Sequence, residues 1–218
     1  MFWRRERYQV HLNENIPLLT PVESLSFVVL DTEATGFSIS GEDRLLEIGA
    51  VYVNNLEVSD ETFQTYVDPQ RNIPDIIKEL TGIDEQKVKT APFAKDAIDE
   101  LFAFIEGCKC NFLVGHYMTF DVSLIEQELK RANCNCSKPK SIDTLDLLQL
   151  LNVCIHGKQL DDYADEFEIE LIGRHTAIGD ALITANLACC LLKQLKRRYR
   201  TWGELLFALE SRKRMLGE

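Results

Sequence analysis

The 218-residue chain predicts an α/β layer fold around a mixed sheet, in which an antiparallel meander is followed by parallel strands flanked by helices. Three observations predict it. Three strand-like runs follow one another before any long helical pattern. Helical and strand patterns then alternate. A long segment with one apolar face closes the body of the chain.

The elements follow in order. Residues 1–24 hold few periodic signals, broken by Pro17 and Pro21, and read as an N-terminal arm. Ser26 to Asp31 is a short apolar run ending in an acid, as a buried strand would. Leu45 to Val53 is a second run, and Glu61 to Val67 alternates like a third strand. Thr35-Gly36 and Ser40-Gly41 bracket the first connection as turn signals. Phe93, Ala97, Leu101, Phe104 and Ile105 fall at helical spacing after Pro92. Phe112 to Gly115 is a short strand, and Val122 to Leu129 is helical. Ser141 to Thr144 reads as a strand leading into a helical Leu145 to Leu151, and Gln159 to Phe167 as a helix with an acidic outer face. Ile178, Ala181, Leu182, Ala185, Cys189, Leu192 and Leu195 mark one face of a long helix. In the segment Gly203 to Leu216, Leu205, Leu206, Leu209 and Met215 sit near helical spacing. The chain thus divides into an arm (1–24), a main domain (25–200) and a helical tail (201–218). The tail either folds back on the core or pairs with a second subunit.

Composition narrows the class. Apolar residues make up 45% of the chain, enough for a sizeable core. No stretch reaches the roughly 18–20 uninterrupted apolar residues of a spanning helix. The start, Met1-Phe-Trp-Arg-Arg-Glu-Arg-Tyr8, lacks the long apolar stretch of a secretory signal. The expectation is a soluble cytoplasmic protein with no membrane role. Seven cysteines, an odd number, argue against a secreted disulfide framework. Cys108-Lys-Cys110 and Cys134-Asn-Cys136 precede strands expected to be neighbours. A structural zinc there is conceivable, although the spacing departs from the usual Cys-x2-Cys.

The net charge of −11 is unevenly spread. Lys193 to Glu218 carries eight basic and three acidic residues, so the body before it is the more strongly acidic. An acidic body disfavours a long polyanion track. Cations bound at carboxylates invert that local logic. The basic run Lys193 to Arg200 reads first as a solvated helix end complementing the dipole, and second as a nucleic-acid contact or docking surface.

The acids fall at telling places. Asp31 and Glu33 stand two apart at the end of the first strand, a spacing that puts both side chains on one face. Acids ending an apolar strand are costly unless solvated, paired or metal-bound. Asp121 follows an apolar strand and opens a helix, where an acid also serves as a first-turn residue. Asp180 sits in the first turns of the long helix, with His175 just before it and Thr176 as a cap. Four acids and a histidine therefore gather at strand ends and helix starts, the edge of an α/β sheet where ligands bind. Hard oxygen donors favour Mg²⁺ or Mn²⁺ over zinc.

These residues carry a resemblance. Phe27-Val-Val-Leu-Asp-Thr-Glu-Ala-Thr-Gly36, Gly115-His-Tyr-Met-Thr-Phe-Asp121 and His175-Thr-Ala-Ile-Gly-Asp180 resemble the three motifs of the DEDD exonucleases. The His-x4-Asp spacing is that of the histidine branch, which includes the proofreading epsilon subunit of bacterial DNA polymerase III, ribonuclease T and oligoribonuclease. Leu45-Leu-Glu-Ile-Gly-Ala-Val51, Leu80-Thr-Gly-Ile83 and Ile142-Asp-Thr-Leu145 look like the family's connecting signatures. The likeness spans about residues 25–195.

The resemblance implies a ribonuclease-H-like fold and release of nucleoside 5′-monophosphates from a 3′ end with two divalent cations, Mg²⁺ or Mn²⁺. It implies that Asp31, Glu33 and Asp180 bind the first cation, that Asp31 bridges to the second, and that Asp121 supports that site through water. His175 would be the general base, since imidazole is neutral and proton-accepting at physiological pH. Backbone at Ala34, Thr35 and Gly36 and the ring of Phe37 would meet the terminal nucleotide, with His116 as a further substrate contact. Ordinary packing is the alternative for Phe37. Glu47 would reach the terminal sugar hydroxyl, or be a paired acid in the sheet. Two positions depart from the family: Tyr117 stands where Asn is usual after the motif's His, and Ala34 where Thr or Ser is common. The expected partners are single-stranded DNA or RNA 3′ ends, with a homodimer or a polymerase as possible protein partners. A short-oligonucleotide ribonuclease, a proofreading subunit and an inactive adaptor are the competing readings.

Overall fold

The computed structural model describes residues 6–216. Residues 1–5, most of the basic aromatic start, and the last two residues of the tail lie outside the described residues. The central sheet has five strands: β2 (Phe27–Ala34), β3 (Leu45–Asn54), β4 (Glu57–Tyr66), β5 (Phe112–Gly115) and β7 (Ser141–Asp143), in the order β4-β3-β2-β5-β7. β2, β3 and β4 pair antiparallel; β5 joins β2, and β7 joins β5, in parallel. The expected meander followed by parallel strands is therefore the observed sheet.

Alternation along β2 builds two cores at once. Phe27 and Val29 face a cluster with α5 (Thr144–Leu150), α6 (Leu160–Glu166), α7 (Ala177–Leu195) and α8 (Trp202–Leu216). Val28 and Leu30 face the opposite cluster, with α3 (Ala94–Cys108) and α4 (Thr119–Arg131). This is a three-layer α/β/α arrangement. By length and composition α7 is apolar enough to cross a membrane, but its apolar surface is largely buried in the protein core.

Several boundaries differ from expectation for local reasons. β4 starts at Glu57 rather than Glu61, because Asn55 and Leu56, both at positive φ, close a two-residue hairpin between the paired Asn54 and Glu57. Two short helices, α1 (Asp75–Thr81) and α2 (Glu85–Val88), fill the connection from β4 to α3. Asp84 caps α2 by accepting from the amides of Gln86 and Lys87. In the arm, β1 (Glu6–Tyr8) pairs in parallel with β6 (Cys134–Cys136), away from the main sheet.

The tail folds back on the core. Trp202 is buried and stacks on Phe112 at 5.3 Å between ring centroids. The arm and the start of α8 are stitched by backbone: Val22 N–H donates to Arg200 O (3.0 Å), Trp202 N–H to Thr20 O (2.7 Å) and Gly203 N–H to Leu18 O (2.8 Å).

Candidate active site

The central strand delivers the first two acids. Asp31 and Glu33 lie near the end of β2, and the β2–β3 register shifts between Glu33 and Ala34. Such a bulge re-aims side chains at a strand end. Between the two acids, Thr32 is buried and its hydroxyl donates to Asp121 Oδ1 at 2.6 Å. That bond ties β2 to the first turn of α4.

Asp180 is placed by the start of α7. Thr176 caps this helix, accepting from Gly179 N–H at 3.1 Å. Close backbone packing sets the helix against the sheet. A Cβ on Gly49 of β3 would lie 2.2 Å from the carbonyl carbon of Ala177, and one on Gly179 would lie 1.9 Å from Gly173 O. Only glycine permits either approach. Beneath the same helix start, Glu47 is fully buried and accepts from Ala177 N–H (3.0 Å) and Gln64 Nε2 (2.5 Å). Its charge complements the helix dipole. Glu47 thus supports α7 from within the sheet, the paired-acid arrangement that stood beside a contact with the sugar hydroxyl.

The acids open into a cleft of about 580 Å³ lined by Asp31, Glu33, Asp121, Asp180, His116, His175, Ala34, Gly36 and Phe37. That volume suits a small-molecule-sized ligand. Thr35 stays outside it: its hydroxyl donates to Asp43 Oδ1 (2.9 Å) and its amide to Arg44 O (2.9 Å). Phe37 is 87% exposed at the rim, its ring tilted against Phe120 at 5.8 Å. It is a surface ring rather than a core one. Ile77, Leu80, Leu160 and Tyr117 add apolar wall. Ile77 and Leu160 were not singled out in the sequence because their orientation toward the cleft is tertiary.

The electrostatics mark the cluster as a cation site. Ligand oxygens of Asp31, Glu33 and Asp180 all lie within 4.8 Å of one another. Burial, then the neighbouring carboxylates, raises Asp31 well above the ordinary carboxylate range. Glu33 is pushed up to about 8 by burial and then by the charges of Asp180 and Glu47. Burial also raises Asp180 and Asp121. Crowded carboxylates in a low-dielectric site strain toward protonation unless a cation neutralises them. The all-oxygen donor set fits a hard divalent ion.

Two histidines flank the acids. His116 contacts Thr144 Oγ1 through Nδ1 at 2.7 Å, and burial, with Arg174 nearby, pushes it down to about 4, so its ring is neutral. Next to it Tyr117 adopts φ +59°, a left-handed conformation that Asn tolerates better than Tyr. Asp143 holds this backbone, accepting from the amides of Met118 (2.9 Å) and Tyr117 (3.3 Å). His175 is also left-handed, φ +65°, and its amide donates to Asp180 Oδ1 at 3.3 Å. Beside it Arg174 donates to Asp161 and to Asp180, and its Nη1 lies 3.2 Å from His175 Nδ1. Arg174 and Asp161 carried no signal in the sequence beyond charge.

The other sequence candidates lie elsewhere. Among the described residues the acidic trio is the one group of three or more His, Cys, Asp or Glu side chains close enough to share a metal ion. Cys108, Cys110 and Cys134 are buried in the cluster beneath α3 and α4, with Cys136 packed against it, and they are not part of that metal-sized group. The basic run follows the far end of α7, with Lys196 about 24 Å from Asp180 at the helical rise per residue. There Lys196 pairs with Glu23 at 3.1 Å, and Arg198 lies over Tyr199.

The RNase_T family model, described as Exonuclease, matches residues 28–188. The chain belongs to this exonuclease family. It is 36% identical over 195 residues to "DNA polymerase III PolC-type" of Caldanaerobacter subterraneus subsp. tengcongensis, covering 88% of this chain and 13% of that protein. It is 34% identical to "DNA polymerase III subunit epsilon-like protein" of Rhodobacter capsulatus, covering 90% of this chain and 28% of that protein. The chain thus spans less than a third of the length of these curated relatives. The fold matches the nuclease domain of 3'hExo, a DEDDh family member solved bound to rAMP, with a TM-score of 0.68 and 18% identity over 78% of this chain and 92% of that one. The sheet and flanking helices are those of a ribonuclease-H-like exonuclease domain.

Proposed function

We propose that this protein is a 3′→5′ exonuclease that releases nucleoside 5′-monophosphates from single-stranded DNA or RNA ends with two divalent cations, Mg²⁺ or Mn²⁺. The observation that carries this reading is the convergence of Asp31, Glu33 and Asp180 within 4.8 Å, in one cleft with Asp121 and His175. Asp31, Glu33 and Asp180 would hold one divalent cation, and Asp31 and Asp121 would serve the second, Asp121 through water. Bound cations supply positive charge to the phosphodiester and ease ionisation of water.

The chain's own groups do the rest. His175 takes the proton of the attacking water. The backbone of Ala34 and Gly36 lies close to the terminal nucleotide, and the exposed ring of Phe37 stacks on its base, a contact that tolerates any base. Neutral His116 lines the same cleft without adding charge.

A panel of 3′-labelled single- and double-stranded DNA and RNA, with Mg²⁺ or Mn²⁺, tests the proposal. Stepwise monophosphate release that disappears in Asp31→Ala supports it; folded protein inactive on every substrate sinks it. His175→Ala should keep Mn²⁺ binding and lose most turnover. The panel also separates a ribonuclease restricted to short oligonucleotides. A second reading, a proofreading module that works with a polymerase, is supported by the polymerase names of two relatives. Co-purification of a polymerase with the tagged protein tests it.

A further inference from the structure

Arg174 occupies an unusual place for a cation. It lines the cleft and donates both to Asp161, in α6, and to Asp180, a proposed cation ligand on α7. The same Nη1 lies 3.2 Å from His175 Nδ1. Guanidinium has donors only, so Nδ1 must be the acceptor in this contact. In this arrangement Asp180 has one oxygen committed to a guanidinium.

We propose that Arg174 is an internal counter-ion that divalent cations displace from Asp180, and that its guanidinium then turns onto the phosphate of the bound nucleotide. Charge favours the exchange. The carboxylates crowd one another, and one guanidinium partly neutralises them. A divalent ion among Asp31, Glu33 and Asp180 neutralises them more fully and removes the attraction that holds Arg174 on Asp180. Asp161, outside the acidic trio, keeps the side chain tethered at the cleft wall. A planar fork of donors left beside the reacting centre is suited to phosphate oxygens. The exchange couples cation binding to the freeing of a phosphate-binding group.

This inference rests on the proposed cation site, and the test separates the two. Mn²⁺ is titrated calorimetrically into wild type, Arg174→Gln and Arg174→Lys without nucleotide. With the competing guanidinium gone, Arg174→Gln should bind Mn²⁺ about ten-fold more tightly, as expected for loss of one charge-assisted contact, and Arg174→Lys should fall between. General structural damage would weaken binding instead. With saturating Mn²⁺, Arg174→Gln should bind a nucleoside 5′-monophosphate about ten-fold more weakly, while affinity for the nucleoside lacking phosphate stays unchanged. If wild type takes up no Mn²⁺, the cation site itself is wrong. If wild type binds Mn²⁺ and Arg174→Gln binds it equally or more weakly, the exchange is overturned. Unchanged monophosphate affinity overturns the phosphate contact.

Discussion

Gly49→Ala tests how the fold places Asp180. The added Cβ would sit 2.2 Å from the carbonyl carbon of Ala177 and 2.4 Å from both Ala177 O and Ile178 N. All three are backbone atoms, so no side chain can rotate away. Reaching the 3.4 Å at which ordinary contact begins requires the start of α7 to move about 1.2 Å from β3, and overpacking of this kind costs roughly 1–3 kcal/mol. The same movement pulls Ala177 N–H from Glu47, and losing a hydrogen bond to a buried charge adds about 1.5–3 kcal/mol. Asp180 lies one turn further on and moves with the helix, out of register with Asp31 and Glu33. A misplacement of about 1 Å at reacting groups lowers turnover about 100-fold. Urea denaturation gives the stability change, and single-turnover cleavage of a 3′-labelled oligonucleotide with Mn²⁺ gives the rate. Gly107→Ala in α3 is the internal control. Its Cβ would meet nothing within 4 Å, so it should stabilise the protein by about 0.5–1 kcal/mol through helix propensity. Wild-type stability and turnover in Gly49→Ala would refute the reasoning, because the helix would then have had room to spare.

Three further outcomes are expected. Tyr117→Asn should raise stability by about 1 kcal/mol, because Asn tolerates the left-handed φ of +59° better than Tyr does; a lower melting temperature would show that the contact of Tyr117 with His116 outweighs the strain. Phe37→Ala should raise KM about ten-fold through lost base stacking and leave the melting temperature unchanged, since the ring is 87% exposed; an unchanged KM would remove Phe37 from the nucleotide site. In a chelator, stability should fall as pH rises from about 4.5 to about 8. Folded Glu33 holds a proton up to about 8 that the unfolded chain releases near its ordinary value, so stability from this group is full below that value and is lost through the window. Discounted for solvent access, the loss is roughly 2 kcal/mol, or about 4–8 °C in melting temperature. Mn²⁺ should flatten that slope, and equal slopes with and without Mn²⁺ would refute the coupling.

Much of the site was legible because its signals are local. The two-residue spacing of Asp31 and Glu33 fixes a shared face once β2 is a strand, and Thr176 and Asp180 announce a helix start. The sheet was legible because the apolar runs of β2 and β5 are unbroken and that of β3 is interrupted by one acid, Glu47. What stayed hidden depends on pairing across the chain. β1 and β6 are three residues each and exist through each other. α1 and α2 are too short for periodicity to declare them. Glu47 stands in an apolar run that reads equally well with its carboxylate turned to a cleft or under a helix; the close approach of α7 at Gly49 decides it. Arg174 is one charge among many until α6 and α7 bring Asp161 and Asp180 to its two sides.

The seam between the arm and α8 has a kinetic consequence. Its ion pair, Lys196 with Glu23, joins residues 173 apart in the chain. Closing a loop of that length before anything else forms would cost about 4–5 kcal/mol in chain entropy beyond a constant. The β3–β4 hairpin, closed across two residues, bears almost none of that cost. The expected order of assembly therefore runs outward from the meander, with the seam closing onto a sheet that already exists. The order reverses on opening: the amides of Val22, Trp202 and Gly203 should exchange with solvent ahead of those in β2. Asp31 and Glu33, carried on β2, should keep their places after the chain's two flanks have opened.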